Sequence, residues 1–153
     1  MSRSHETVID IRATPDEVFR AVTDAEQIVK WFAPIAKVEP GVGGSYSVSW
    51  GPGMEIKKTI HAWEPGKHFG TYSDRSMTYG SDGKPVETGE TQRLCVDVYI
   101  EALGGGMTRL RLVQSGFGSS EAWDGEFEST KSGWRSFIEK LKEVLEQGAQ
   151  ATA

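Results

Sequence analysis

The sequence predicts an α+β fold: a curved antiparallel sheet wrapped around one long C-terminal helix, with two short helices after the first strand. Three observations predict it. A period-2 strand near the N-terminus runs directly into a capped helix. The middle of the chain alternates apolar and polar residues between turn signals. The last stretch carries its apolar residues three and four apart. A sheet facing a single helix can leave space between the two layers. The pattern therefore predicts a hollow for an apolar small molecule.

Thr7, Ile9, Ile11 and Ala13 alternate with polar residues, among them Glu6, Asp10 and Arg12, as in a half-buried strand. Thr14-Pro15-Asp16-Glu17 is a capping box with Pro at the first helical position. The helix it starts is expected to bury Val18, Phe19 and Val22. Asp24 with Gln27 repeats the signal for a second short helix ending at Trp31-Phe32, where Pro34 stops it. Gly41 to Gly44 lead into a strand from Ser45 to Trp50, in which Tyr46, Val48 and Trp50 alternate with serines. Gly51-Pro52-Gly53 turns the chain into a strand from Met54 to Glu64. Glu64-Pro65-Gly66-Lys67 then has Pro and Gly at the centre of a type II turn. A tight turn there pairs Trp63 with His68 and Ala62 with Phe69. It points Ile56, Ile60, Ala62, Phe69 and Thr71 inward, and His61, Trp63, His68 and Tyr72 outward.

Residues 74–90 read as an exposed loop or an extended hairpin tip. Thr91 to Leu103 places Leu94, Val96, Val98 and Ile100 inward. After the Gly104-Gly105-Gly106 turn, Met107 to Phe117 returns with Leu110, Leu112 and Gln114 inward. Residues 118–125 read as a connector. The closing helix, Glu126 to Gln147, carries Trp134, Phe137, Ile138, Leu141, Val144 and Leu145 in one stripe. Beyond Gly148 a frayed tail is expected. The chain reads as a single domain over 1–153, with an ordered core of about 7–147.

The net charge of −5, without any block of basic residues, argues against nucleic acid as a partner. No stretch is long and apolar enough to span a bilayer. The first residues include His5, Glu6, Asp10 and Arg12, so no secretory leader is expected. Cys95 is the only cysteine, which predicts a reducing, cytoplasmic setting.

Ala13 to Asp24, followed by Lys30-Trp31-Phe32-Ala33-Pro34, resembles the opening of the activator-of-heat-shock-protein-90-ATPase homologue family. That family lies within the START-like (SRPBCC) superfamily, which shares the helix-grip fold of the birch pollen allergens. Gly43-Gly44-Ser45-Tyr46, Glu64-Pro65 with Phe69, Met107 to Leu112, Gly133-Trp134 and Leu141 resemble later family stretches in the same order. The resemblance runs from about Thr7 to Leu145. It implies the helix-grip fold and brings no general catalytic signature. Residues 73–90 are longer than the corresponding family loop.

The expected walls of the site are Trp31, Tyr46, Val48, Trp50, Ile60, Phe69, Val96, Val98, Leu112, Gln114, Trp134 and Phe137. Trp134 and Phe137 serve equally as core or as pocket floor. Gln114 is the polar exception on its strand face. A buried amide without a partner costs roughly 1–3 kcal/mol. It is therefore expected to bond to backbone or the closing helix, or to address a ligand's polar atom. His61 and His68 lack a third ligand, so no metal is expected, nor any cofactor. Trp63 and Tyr72 on the outer face suggest a homodimer contact. The expected function is binding of an apolar or lipid-like small molecule. An enzyme of polyketide cyclase or hydrolase type is the first alternative, and the scarcity of inward Glu, Asp and His weighs against it. A chaperone-linked protein interaction module is the second.

Overall fold

A computed structural model describes residues 2–79 and 84–151. Strand β1 (Ser2–Ile11) leads into α1 (Pro15–Thr23) and α2 (Ala25–Ile28). The capping box forms: the Glu17 backbone N–H donates to Thr14 Oγ1 at 3.1 Å, and the Thr14 N–H donates back to Glu17 Oε1 at 3.3 Å. Then follow β2 (Ile35–Val38), β3 (Ser45–Ser49), β4 (Glu55–Glu64), β5 (His68–Tyr79), β6 (Pro85–Gly104) and β7 (Met107–Gly118). One 3-10 turn at Glu121–Trp123 starts the closing helix α3 (Asp124–Ala151). Among the described residues the strands form one antiparallel sheet in the order β1-β7-β6-β5-β4-β3-β2. The first strand thus closes beside the last. Ile138 and Leu141 of α3 are fully buried in the core against this sheet.

Two expectations change in detail, and between the two forms expected for residues 74–90 the structure has the hairpin. The edge strand β2 has no counterpart in the sequence reading: it is four residues long and Ile35 is 59% exposed. Residues 74–90 form the far end of the β5–β6 hairpin, with Met77 opposite Glu87 and Tyr79 opposite Pro85. Its tip at 80–83 lies outside the described residues. The helix continues through Ala151 instead of fraying at Gly148, and residues 152–153 lie outside the described residues.

The β4–β5 hairpin corrects the placement of Trp63. The turn forms, with the Lys67 N–H donating to the Glu64 carbonyl at 2.9 Å and Gly66 at φ +73. Pairing, however, begins at Glu64 with His68, so Trp63 faces Phe69 and Ala62 faces Gly70. A bulge between Ile60 and Ala62 absorbs the offset, and Ile60 with Thr71 resumes the expected register. Trp63 therefore turns inward, edge-on to Phe19 at 5.2 Å and to Phe69 at 5.8 Å. It is not part of an outer aromatic face. That face holds Asp97, whose Oδ1 lies 3.1 Å from His61 and 2.7 Å from His68. Beside it Arg93 lies over Tyr72 and Arg111 over Tyr99.

A second core lies where the sequence suggested a connector. Trp123 is 1% exposed and packs with Leu94, Phe117 and Phe127. His5 joins it, its ring 5.4 Å from Phe117 and 5.3 Å from Phe127. Gly116 has φ +90, and a Cβ there would sit 1.8 Å from the Arg93 carbonyl oxygen, so the β7 backbone at this bend requires glycine.

The start of α3 is latched to β5. Glu126 is buried and accepts from both terminal nitrogens of the Arg75 guanidinium, from the Thr78 hydroxyl at 3.2 Å and from the Tyr79 N–H at 3.3 Å. Glu126→Ala strands a half-buried cation and two further donors. It is expected to cost about 3 kcal/mol in urea unfolding. A loss no larger than that of an exposed control such as Glu139→Ala would show that the latch carries no load.

Candidate functional site

A recess of ≈ 260 Å³ opens between the sheet and the middle of α3. Of the residues expected to wall it, Trp31 enters from the segment after α2, and Tyr46 and Val48 from β3, with Trp50 just beyond. Phe69 comes from β5, Val96 and Val98 from β6, Leu112 and Gln114 from β7, and Trp134 and Phe137 from α3. Ile60 is buried in the core but is not among the lining residues. Phe32, Ile56, Lys58, Thr71, Ser129, Thr130 and Gly133 line it too.

The apolar wall is an aromatic lattice whose polar edges are already satisfied. Phe32 stacks between Trp31 and Trp134, at 5.2 Å from each, and meets Trp50 and Phe137 edge-on. Trp31 Nε1 donates to the Ala21 carbonyl at 2.8 Å, taking up one of the open acceptors at the end of α1. Trp50 Nε1 donates to the Phe32 carbonyl at 3.2 Å. Trp134 Nε1 donates to Gln114 Oε1 at 2.7 Å. Gln114 thus finds its partner on the closing helix, one of the two outcomes its position allowed.

Gly133 sits on the recess side of α3, and a Cβ built on it meets no heavy atom within 4 Å. The helix surface is open there because its residue has no side chain.

Lys58 is the residue that reading the sequence missed. It lies on β4 midway between Ile56 and Ile60, so strand parity alone turns it inward with them. Its charge argued for the outside, yet it lines the recess. Among the described residues its ammonium has no hydrogen bond and no ion pair. The nearby carboxylate, Glu126, is committed to Arg75, Thr78 and Tyr79. Burial pushes Lys58 down from 10.5 to about 8, and the Arg75 guanidinium adds to the shift. Cys95 and Glu126 oppose it to a lesser degree. Burial also raises the phenol of Tyr46, the residue directly opposite Lys58 on β3.

Comparison with known proteins follows the fold. A sequence profile for the family described as Activator of Hsp90 ATPase homolog 1-like protein matches residues 12–146. No curated protein matches the chain. Protein MLL2253 from Mesorhizobium loti is similar in structure, with a TM-score of 0.76 and 24% identity, over 95% of this chain and 98% of that one. The Aha1 dimer from Colwellia psychrerythraea gives 0.72 at 17% identity, over 94% and 96%. DynU16, a protein in the dynemicin biosynthetic locus, gives 0.72 at 23% identity, over 95% of this chain and 48% of its own. At these identities the likenesses establish the fold.

The unpaired cation carries its own prediction. Lys58→Met is expected to raise stability by about 1–3 kcal/mol at pH 7 in urea unfolding. The folded-state pKa of about 8 lies below the ordinary 10.5. Between those values the unfolded chain binds more protons, so wild-type stability rises with pH across that window. The advantage of the variant should therefore shrink from pH 8 upward and vanish above about 10.5. A gain unchanged at about pH 11 would assign it to packing instead of charge.

Proposed function

This chain belongs to the family of Activator of Hsp90 ATPase homolog 1-like proteins, and within that family we propose that it binds an apolar small molecule in the recess between the sheet and α3. One observation carries the reading: the recess walls are aromatic and aliphatic, and the indole N–H groups of Trp31, Trp50 and Trp134 are already bonded within the protein. Such a wall presents apolar surface with few polar demands. Burial of a guest is then driven by removal of both surfaces from water, at roughly 25 cal/mol per Å².

Acid–base catalysis on that guest has less support. Among the described residues no carboxylate and no imidazole lines the recess. His5 stands behind it, with Nε2 on Thr130 Oγ1 at 3.0 Å. A chaperone-directed role, suggested by the family description, would use an outer surface and leave the recess unexplained. Retention of a chaperone on the immobilised chain is its separate test.

Uptake of the uncharged dye N-phenyl-1-naphthylamine reads the proposal directly, because three tryptophans in the wall would transfer energy to it. Gly133→Leu places a side chain in the open space and removes no core contact. It is expected to weaken dye uptake at least about tenfold while unfolding in urea within about 1 kcal/mol of the wild type. Trp134→Ala is expected to lose binding more than stability. Dye uptake equal in wild type and Gly133→Leu would place the dye elsewhere and sink the proposal.

A further inference from the structure

The polar side chains of the recess are not scattered over the sheet. Register places them in two adjacent rows. Tyr46 and Lys58 are opposite one another on β3 and β4. The next row runs from Ile60 through Thr71 and Val96 to Gln114. Lys58 and Ile60 are successive inward residues of β4, so the two rows are neighbours. Tyr46, Lys58 and Thr71 thus lie on three consecutive strands, and Gln114 stands two strands beyond Thr71, where its oxygen meets Trp134 of the aromatic lattice.

The free atoms in these rows share one character. Lys58 Nζ is a cation with no partner among the described residues. The hydroxyls of Tyr46 and Thr71 likewise have no hydrogen-bond partner among the described residues, and both can donate. Gln114 has its oxygen occupied by the Trp134 indole, which leaves its amide N–H groups free. Among the described residues the nearby carboxylate is spent: Glu126 is saturated by Arg75, Thr78 and Tyr79. The hydroxyls of Ser129 and Thr130 are turned back onto carbonyls of their own helix. One end of the recess therefore offers donors and a single positive charge, with no carboxylate among its described lining residues.

We propose that the recess selects an amphipathic monocarboxylate, with a one- or two-ring or short-chain apolar body against the aromatic lattice and its carboxylate on Lys58, assisted by the neighbouring Tyr46 and Thr71. This rests on the recess reading above and specifies the class of its ligand. A lone cation in an apolar wall is costly, and a singly charged anion removes that cost while its own body buries apolar surface. A neutral hydrocarbon would leave the ammonium stranded. A dianion would bring a second charge that nothing in the recess balances. Depression of the Lys58 ammonium to about 8 fits a site that lacks its counter-ion, and it remains protonated at neutral pH.

The test uses a matched pair, 2-naphthoate and its neutral isostere 2-naphthamide, titrated calorimetrically into the full chain at pH 7. Wild type is expected to bind the carboxylate about 10–100-fold more tightly than the amide, the range of a charge-assisted hydrogen bond. In Lys58→Met the ratio should fall to about one, and in Lys58→Arg the preference should persist. Gly133→Leu should weaken both ligands together, which ties the preference to the recess. A wild-type ratio near one, or a preference that survives in Lys58→Met, overturns the carboxylate assignment and leaves the apolar recess standing. Binding of neither ligand at millimolar concentration, together with no dye uptake, overturns the recess reading and this assignment with it.

Discussion

The structure depends on α3 being pinned at two places and held off the sheet between them. Near its start, Glu126 is held by β5 and Phe127 packs in the second core with Phe117 and Trp123. Farther on, Ile138 and Leu141 sink into the main core, and Lys142 Nζ donates to the Asp10 carbonyl at 2.8 Å. Ser129, Thr130, Gly133, Trp134 and Phe137 lie between these anchors and face the recess. Apolar surfaces in water tend to close on one another, so an opening persists only where its walls are prevented from collapsing. The two anchors set the height of the helix above the sheet. The Trp134–Gln114 hydrogen bond acts as a strut across the gap. Large rings braced edge to face leave little freedom for side chains to swing in and fill the space.

Much of this was legible in the sequence because period and turn chemistry agree along most of the chain. The stripe from Trp134 to Leu145, the capping box at Thr14 and the inward set Leu94, Val96, Val98 and Ile100 all follow from spacing alone, and each is found as expected. Two physical effects hid the rest. Register next to the Pro65-Gly66 turn depends on how many residues the connection leaves unpaired, and one extra residue reversed the face of Trp63. The second core depends on Leu94 meeting Phe117 and Trp123, more than twenty residues farther along the chain, and the three share no local period.

Lys58 was hidden for a different reason. Two rules conflict at its position: strand parity points it inward, and charge argues for solvent. The backbone wins because Ile56 and Ile60 on either side fix which face is which. A sequence selected only for stability would carry an aliphatic residue there. Local conflict of this kind, uncompensated by any protein group, is where folds give up stability for another end. The neighbouring Tyr46, a buried ring whose hydroxyl finds no protein partner among the described residues, points in the same direction.

The bulge in β4 reaches beyond the core. By rotating Trp63 beneath α1 it removes the one indole that could have made the outer surface of the sheet adhesive. What remains there is a mosaic of paired polar groups: Asp97 between two imidazoles, Arg93, Arg109 and Arg111 each beside an acid, and the rings of Tyr72 and Tyr99 under Arg93 and Arg111. Two such mosaics pressed together would gain little from expelling water and would have to break pairs already made. Any self-association through this surface would accordingly be ionic in origin, sensitive to the register of the two copies, and loosened by added salt.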